Sequence, residues 1–478
     1  MEGRGQTTDI VTDETHLRNL AEEHGQEHVF RFWDELNSAE RLVLLDQLRN
    51  VDFALTERLV RKHIVAAAVS PEKGTLSPAP IIALPSSEKE EQATGAAHQR
   101  GEELLRKGQV ACYVVAGGQG TRLGFDGPKG TFTIGPVSQR SLFQIHAEKI
   151  RALSVRYGAK IPWYVMTSEG NHPATVNFFQ KMQFFGLGQE NVRFFQQEML
   201  PAVDEKGKFL LHAKSCIFTS PNGHGGSLKA LHESGSLRDM RERGIDSIFY
   251  FQVDNPLVDV CDPVFLGHHA LGESEMSSKV VRKSSWEERV GVIVLRDGVL
   301  TVIEYSDLSD EEAQAITSDG NLKYWAGSIA IHLLSVDFVE GLNQGGFSLP
   351  YHRAAKNVPY LDEAGSRCEP TDKNGIKFET FVFDALNKAR HSVTMEVRRE
   401  QEFSPVKNAT GDDSPRKARE DMTALYLRWL EACGAKVERG EDGSFAGHVE
   451  INPLMALDAA DLSKHVKPGS VVRDQFTV

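Results

Sequence analysis

Six short apolar runs recur between residues 110 and 306: "VACYVV", "PWYVMT", "VRFFQQ", "SIFYFQV", "GVIVLR" and "LTVIEYS". They are rich in Val, Ile and aromatics, and their apolarity is continuous rather than alternating. A strand that is apolar on both faces has to be covered on both faces. The stretches "SLFQIHAEKIRALSVRYG" and "TVNFFQKMQFFG" between them follow a helical period, which supplies the cover and the βαβ crossovers. The pattern predicts an α/β class: a doubly wound, mostly parallel sheet over residues 94–400.

The flanks read differently. Residues 1–93 form an N-terminal helical region and linker. In "NSAERLVLLDQL", Asn37 is a helix cap with Glu40 three residues on, and Leu42, Leu45 and Leu48 are expected on one face. "SPEKGTLSPAPIIALPSS", residues 70–87, keeps no helical period and reads as a linker or a strap over the next domain. "SEKEEQATGAAHQRGEELLRKGQ" returns to helix. Residues 401–478 are expected to form a small C-terminal domain, whose "AKVERGEDGSFAGHVEINPLMALDAADLSKHVKPGSVV" reads as short strands and turns.

A chain of 478 residues is too long for one core, so several compact units are expected. A net charge of −13 argues against a nucleic-acid or membrane-surface partner, both of which select basic fields. It leaves room for a local cationic pocket, because charges are screened beyond ~8 Å in physiological salt. The five cysteines are scattered without a C-x-x-C pair, so they suggest inert thiols rather than a disulfide or zinc framework. "MEGRGQTTDIVTDETHL" carries no apolar signal core, and a cytoplasmic location is expected. Oligomeric state is not legible.

Immediately after "VACYVV" comes "AGGQGTRLGFDGPKG", Ala116 to Gly130. A glycine-rich turn after a buried strand lets backbone amides approach a phosphate. The spacing is not that of a Walker A loop. Nor is it the dinucleotide fingerprint, since Leu123 occupies the decisive position and Gly124 comes one residue late. What remains is G-G-x-G-T-R-L-G followed by P-K-G. Gly117 and Gly118 can bring amides against a base and a phosphate. Arg122 can fork onto phosphate oxygens, and Pro128 restricts where Lys129 points. Asp254 in "QVDN" ends another buried strand, at the edge where doubly wound sheets hold ligands. Its carboxylate can bind Mg²⁺ or another hard divalent cation, or else cap the following turn.

These residues carry a resemblance. "GGQGTRLG" with "PKG" resembles the signature of the UDP-sugar pyrophosphorylases, UTP-dependent uridylyltransferases, and is most similar to their N-acetylglucosamine branch. "FFQQEMLPA", "SPNGHGGSLKAL", "VDNPL", "VIEYSDLS", "DGNLKYWAGSIAIH", "GIKFETFVFD" and "EFSPVKNA" follow in the family order. The resemblance implies a nucleotide-diphospho-sugar transferase-like fold and a UTP site of Ala116, Gly117, Gly118, Lys129, Gln197, Gly223 and Asp254. It implies sugar-phosphate contacts from His224, Glu304, Tyr305, Ser328 and Lys407. Arg122, Lys129 and Lys377 would be the catalytic cations, and Mg²⁺ on Asp254 the cofactor.

The implied reaction is attack of a sugar 1-phosphate on the α-phosphorus of UTP, with pyrophosphate leaving. It asks for two polyanions held together and their charge neutralised. The alternative is a catalytically weak, nucleotide-sugar-binding regulatory protein of the same fold. That protein would be expected to lack Arg122, Lys129 or Asp254, and all three are present. Two positions depart from the N-acetylglucosamine pattern. His224 stands where that branch has Asn, and "WAGS" stands for its "NAGN", so that Ser328 replaces an amide. Glucose, galactose and N-acetylgalactosamine 1-phosphates therefore stay open as substrates.

Overall fold

A computed structural model describes residues 3–66 and 74–478, and the side chains from residue 13 onward. Residues 70–73 of the proline- and serine-rich stretch, and the first two of the N-terminus, lie outside the described residues. The chain forms two compact units. One gathers Met1–Lys73, Gln197–Gly226 and Leu349–Val382; the larger gathers Gly74–Gln196, Ser227–Ser348 and Phe383–Val478.

The larger unit is built on a ten-stranded sheet. Its strands are β1 (Leu76–Pro78), β2 (Val110–Val115), β3 (Trp163–Thr167), β4 (Val192–Gln196) and β5 (Ser247–Gln252), then β6 (Met276–Arg282), β7 (Val292–Arg296), β8 (Val299–Ile303), β9 (Ala326–Ser335) and β10 (Ser392–Glu396). The order is β1-β7-β9-β5-β2-β3-β4, with β8 beside β7, and β6 pairing both β9 and β10. From β5 through β4 every pair is parallel, which is the doubly wound half expected from the apolar runs. The remainder is mixed: β9 runs antiparallel to β5, β6 and β7, and β6 is parallel to β10. Asp297 and Gly298, both at positive φ, make the two-residue turn from β7 to β8.

Helices cover both faces because the strands require it. Leu142–Tyr157 starts at Ser141, whose side chain accepts from the Gln144 amide, and stops at Gly158 in the left-handed region. Its Phe143, Ile150 and Leu153 join Val114, Val165, Phe179 and Phe251 in one core. Of the stretch read as a linker or a strap, residues 74–87 are described. Leu76–Pro78 becomes the edge strand β1, where a proline is tolerated, and Ile82 donates to the Thr394 carbonyl at 2.9 Å. The tail holds the expected short strands and also a long helix, Pro415–Ala432, whose Ala418, Met422 and Leu430 enter the same core.

In the smaller unit, Asn37 and Glu40 form the expected capping box ahead of Ser38–Arg49. The buried face of that helix is Leu44, Leu45 and Leu48, whereas Leu42 is 42% exposed. A step of three residues drifts against the 3.6-residue turn, so Leu42 rotates out and Leu44 takes its place. The face packs with Phe53, Val203, Phe209 and Phe378.

Candidate nucleotide site

Because β5, β2 and β3 are parallel neighbours, their following loops emerge at one edge of the sheet. Residues 116–130, 168–171 and 253–255 therefore meet there. The glycine loop folds back on itself: Lys129 N–H donates to the Gly118 carbonyl at 3.0 Å and Gly120 N–H to that of Gly127 at 2.9 Å. Gly124 (φ 69) and Gly127 (φ 150) take the backbone through turns that other residues resist. At Gly120 a Cβ would come within 2.6 Å of the Phe125 ring, and at Gly130 within 2.2 Å of Phe143.

The polarity of the loop is one-sided. The carbonyls of Ala116 and Gly118 accept from the Asn171 amide at 2.9 and 3.3 Å, and that of Gly117 from the Ser168 hydroxyl at 2.8 Å. Among the described residues the N–H groups of Gly117 and Gly118 have no acceptor. Two donors without partners beside three carbonyls that are engaged make a cradle for an electron-rich ligand. The Arg122 guanidinium likewise has no partner among the described residues, and its side chain is exposed.

Lys129 is held differently. Its ammonium lies 3.0 Å from Asp254 Oδ2, with side-chain exposures of 11% and 10%. Asp254 is placed by the strand before it, through Val253 N–H to the Val115 carbonyl at 3.2 Å, and by Val406 N–H donating to its own carbonyl at 2.8 Å. The segment carrying Lys407 is thus tied to the same edge, and Ala409 N–H reaches the Arg122 carbonyl at 3.1 Å. Lys407 itself stands 3.4 Å from Asp413.

A second grouping forms around Gly291. Ser328 N–H donates to its carbonyl at 2.8 Å, and Glu304 Oε1 lies 3.4 Å from where a Cβ on Gly291 would stand. A register shift between Ser278 and Val280, opposite Ala330 at φ 55, re-aims this end of β9. Tyr305 is 46% exposed and lines a shallow cavity of about 220 Å³ with Lys283, Trp286 and Arg289.

In the smaller unit, Gln197, Gly223 and His224 come together through Asn222. The Gln197 amide donates to Asn222 Oδ1 at 3.1 Å and also to the Gly223 carbonyl. Both N–H groups of the side chain are therefore engaged and only Oε1 is left to meet a ligand. A free glutamine amide offers both a donor and an acceptor; the acceptor is what this geometry presents. Gly223 has φ 82, and a Cβ there would strike the Thr380 carbonyl at 2.3 Å. Val382 N–H donates to His224 Nδ1 at 3.1 Å. Burial pushes the pKa of that ring down to about 4, so it is neutral with its hydrogen on Nε2. Lys377, three residues before Thr380 on its strand, lies 4.9 Å above the Phe218 ring, and burial lowers its pKa.

Comparison with known proteins gives the family of the chain. The model of the UTP–glucose-1-phosphate uridylyltransferase family matches residues 67–413. The chain belongs to that family. It is similar to a Xenopus tropicalis UDP-N-acetylhexosamine pyrophosphorylase-like protein, at 38% identity over 96% of each chain. A UDP-N-acetylglucosamine pyrophosphorylase of Saccharomyces cerevisiae is 37% identical over 89% of this chain and 93% of its own. Among solved structures, the uridine diphosphate N-acetylglucosamine pyrophosphorylase of Trypanosoma brucei, in complex with an inhibitor, superposes with a TM-score of 0.80. It is 28% identical, over 95% of this chain and 94% of that one. This uridylyltransferase takes UTP and a sugar 1-phosphate as substrates.

Two features of the uridylyltransferase escaped the sequence reading. Asn171 and Ser168, which hold the loop carbonyls, sit in "TSEGN", where an Asn after Gly gives no signal beyond a turn. Asp259, Asp262 and Glu402 bring carboxylate oxygens within 4.8 Å of one another. That group answers a buried cation of the chain itself: Lys279 lies 2.9 Å from Asp262 and also bonds Glu402. Burial opposes the charge of Lys279, yet the surrounding carboxylates raise its pKa above the ordinary lysine value. Asp254 fits a magnesium ion better. Its Oδ1 has no partner among the described residues, and magnesium takes one or two carboxylates together with substrate phosphates. Among the described residues no helix is long and apolar enough to cross a membrane.

Proposed function

We propose that the sugar 1-phosphate is an N-acetylhexosamine 1-phosphate, and that UTP is bound at the glycine loop. The carrying observation is the loop's polarity, with engaged carbonyls and the Gly117 and Gly118 amides left to donate beside Lys129. The names of relatives at 37–38% identity support the choice of sugar. In this reading the Gly117 and Gly118 amides, on the loop that begins at Ala116, meet the nucleotide. Gln197 Oε1 accepts from the uracil N3–H, and Gly223 allows close approach of its ring.

The reaction forms a P–O bond between a phosphate oxygen of the sugar 1-phosphate and the α-phosphorus of UTP. It breaks the α–β bridge, and pyrophosphate leaves. No covalent intermediate with the protein is needed. Arg122 and Lys129 hold phosphate oxygens and offset the charge that gathers on the leaving group, with Lys377 as a third cation. Lys407 holds the phosphate of the sugar; Glu304, Tyr305, Ser328 and His224 face its hydroxyl and acetamido groups. Asp254 would hold a magnesium ion, which supplies bridging and charge neutralisation to the triphosphate. A cytoplasmic setting, where UTP is available, accords with this reading.

Pyrophosphate release from UTP over a panel of sugar 1-phosphates tests the proposal. N-acetylglucosamine or N-acetylgalactosamine 1-phosphate should exceed glucose and galactose 1-phosphates in kcat/KM by at least about tenfold. Equal or better use of a plain hexose 1-phosphate would overturn the choice of sugar.

A further inference from the structure

We infer that Asn171 is a positioning residue for nucleotide binding: it fixes the Ala116–Gly117 peptide plane, as Ser168 fixes the Gly117–Gly118 plane, so that the Gly117 and Gly118 amides face the ligand. The inference rests on the proposed role of that loop in binding UTP.

Asn171 stands at the N-cap position of the helix His172–Lys181, where an Asn side chain ordinarily accepts from an amide of the first turn. Here it makes no cap bond. Its Oδ1 accepts from the Ser168 amide at 2.9 Å, while Nδ2 donates to the Ala116 and Gly118 carbonyls at 2.9 and 3.3 Å. The side chain is fully buried. Only this orientation of the amide satisfies all three contacts, because an N–H faces one end and two carbonyls the other. Ser168 completes the clamp with its hydroxyl on the intervening Gly117 carbonyl at 2.8 Å.

Three consecutive carbonyls are thus turned toward β3's loop, and a peptide plane whose carbonyl is fixed has its N–H fixed as well. A glycine pair without such a clamp would sample many orientations, and a ligand would have to order it on binding. The clamp supplies that order beforehand. The helix loses no cap bond if the Asn171 side chain is removed, which separates positioning from helix stability.

The test measures UTP affinity of the full chain by calorimetry, with the thermal midpoint and the KM for each substrate. Asn171→Ala and Ser168→Ala should each weaken UTP about tenfold, the effect of leaving a clamped carbonyl without its donor. KM for UTP should rise while KM for the sugar 1-phosphate stays unchanged. Asn171→Asp is the sharper variant. It keeps the acceptor toward Ser168 N–H and a good N-cap residue, but it sets a carboxylate oxygen against two carbonyls. UTP affinity should fall at least as far as in the alanine variant. If Asn171→Asp restored the affinity lost in Asn171→Ala, the residue would belong to the helix cap and the proposal would fall. Unchanged affinity in both variants overturns it equally. Absence of UTP binding in the wild type removes the loop's own role, and this proposal with it.

Discussion

The ammonium of Lys129 and the carboxylate of Asp254 meet at 3.0 Å across the ends of two parallel strands, each side chain about nine-tenths buried. In the proposed reading such a pair is preorganised for a polyanion: the lysine would be held where phosphate arrives, and the carboxylate that holds it has an oxygen left for a cation. Removing Lys129 therefore has two effects. Lys129→Ala should lower turnover at least about a hundredfold, and it should also leave Asp254 buried without its partner, at a stability cost of about 1–3 kcal/mol. Combining Lys129→Met with Asp254→Asn should recover most of the stability and none of the turnover. Steady-state kinetics beside urea denaturation checks both.

Asp254→Asn keeps the shape of the site and the contact to Lys129 while removing the charge. If Asp254 holds the cation, activity in this variant should need at least about tenfold more free magnesium for half-saturation, the scale of one lost ligand interaction. Titrating magnesium at fixed free UTP reads it directly. A half-saturation unchanged from wild type would take the metal away from Asp254.

Much of this was legible because its cause is local. Continuous apolar runs announce strands buried on two faces, and the glycines of "AGGQGTRLGFDGPKG" announce a loop that folds tightly back on itself. Leu42 shows where local reading slips: three leucines in steps of three look aligned, and the helix turn carries the first one out. Gln197 shows a different limit. Which half of an amide faces a ligand depends on Asn222 and Gly223, some 25 residues away. Asn171 carries no signal, since its work is done on carbonyls more than fifty residues earlier. The smaller unit is likewise stitched from three stretches of chain, with Val203 bridged to Ile376, and linear composition does not report such pairings.

Ser328 is the position at which the sugar preference should be adjustable. Its backbone is fixed on β9, with its N–H on the Gly291 carbonyl at 2.8 Å, so a longer side chain changes reach and not register. Ser328→Asn restores the amide of the N-acetylglucosamine pattern. The ratio of kcat/KM for N-acetylglucosamine 1-phosphate over glucose 1-phosphate should rise by about tenfold or more, the scale of one hydrogen bond matched to a substrate group. Competition between the two substrates in one reaction gives the ratio in a single measurement.

His146 links stability to pH in a way that can be isolated. Its Nε2 lies 3.0 Å from the Val253 carbonyl, next to Asp254, and its ring packs on Phe251 with centroids 5.0 Å apart. Burial, helped by the nearby Lys149 charge, pushes its pKa down to about 3 from an ordinary 6.5. The folded chain therefore leaves this imidazole neutral where the unfolded chain has begun to bind a proton. The stability it contributes is complete above pH 6.5 and is lost as pH falls toward 3, at up to about 1.4 kcal/mol per pH unit. Asp259, raised by burial to about 7, acts in the opposite sense, so the wild-type profile alone mixes the two. The difference between wild type and His146→Gln removes the common part. Glutamine can keep a donor toward the Val253 carbonyl and carries no titrating proton. Urea midpoints for both proteins between pH 7.5 and 5 should converge, with the advantage of wild type shrinking by about 1–2 kcal/mol over that range. A difference that stays level would mean that the imidazole titrates normally and that His146 is not shut away from protons in the native state.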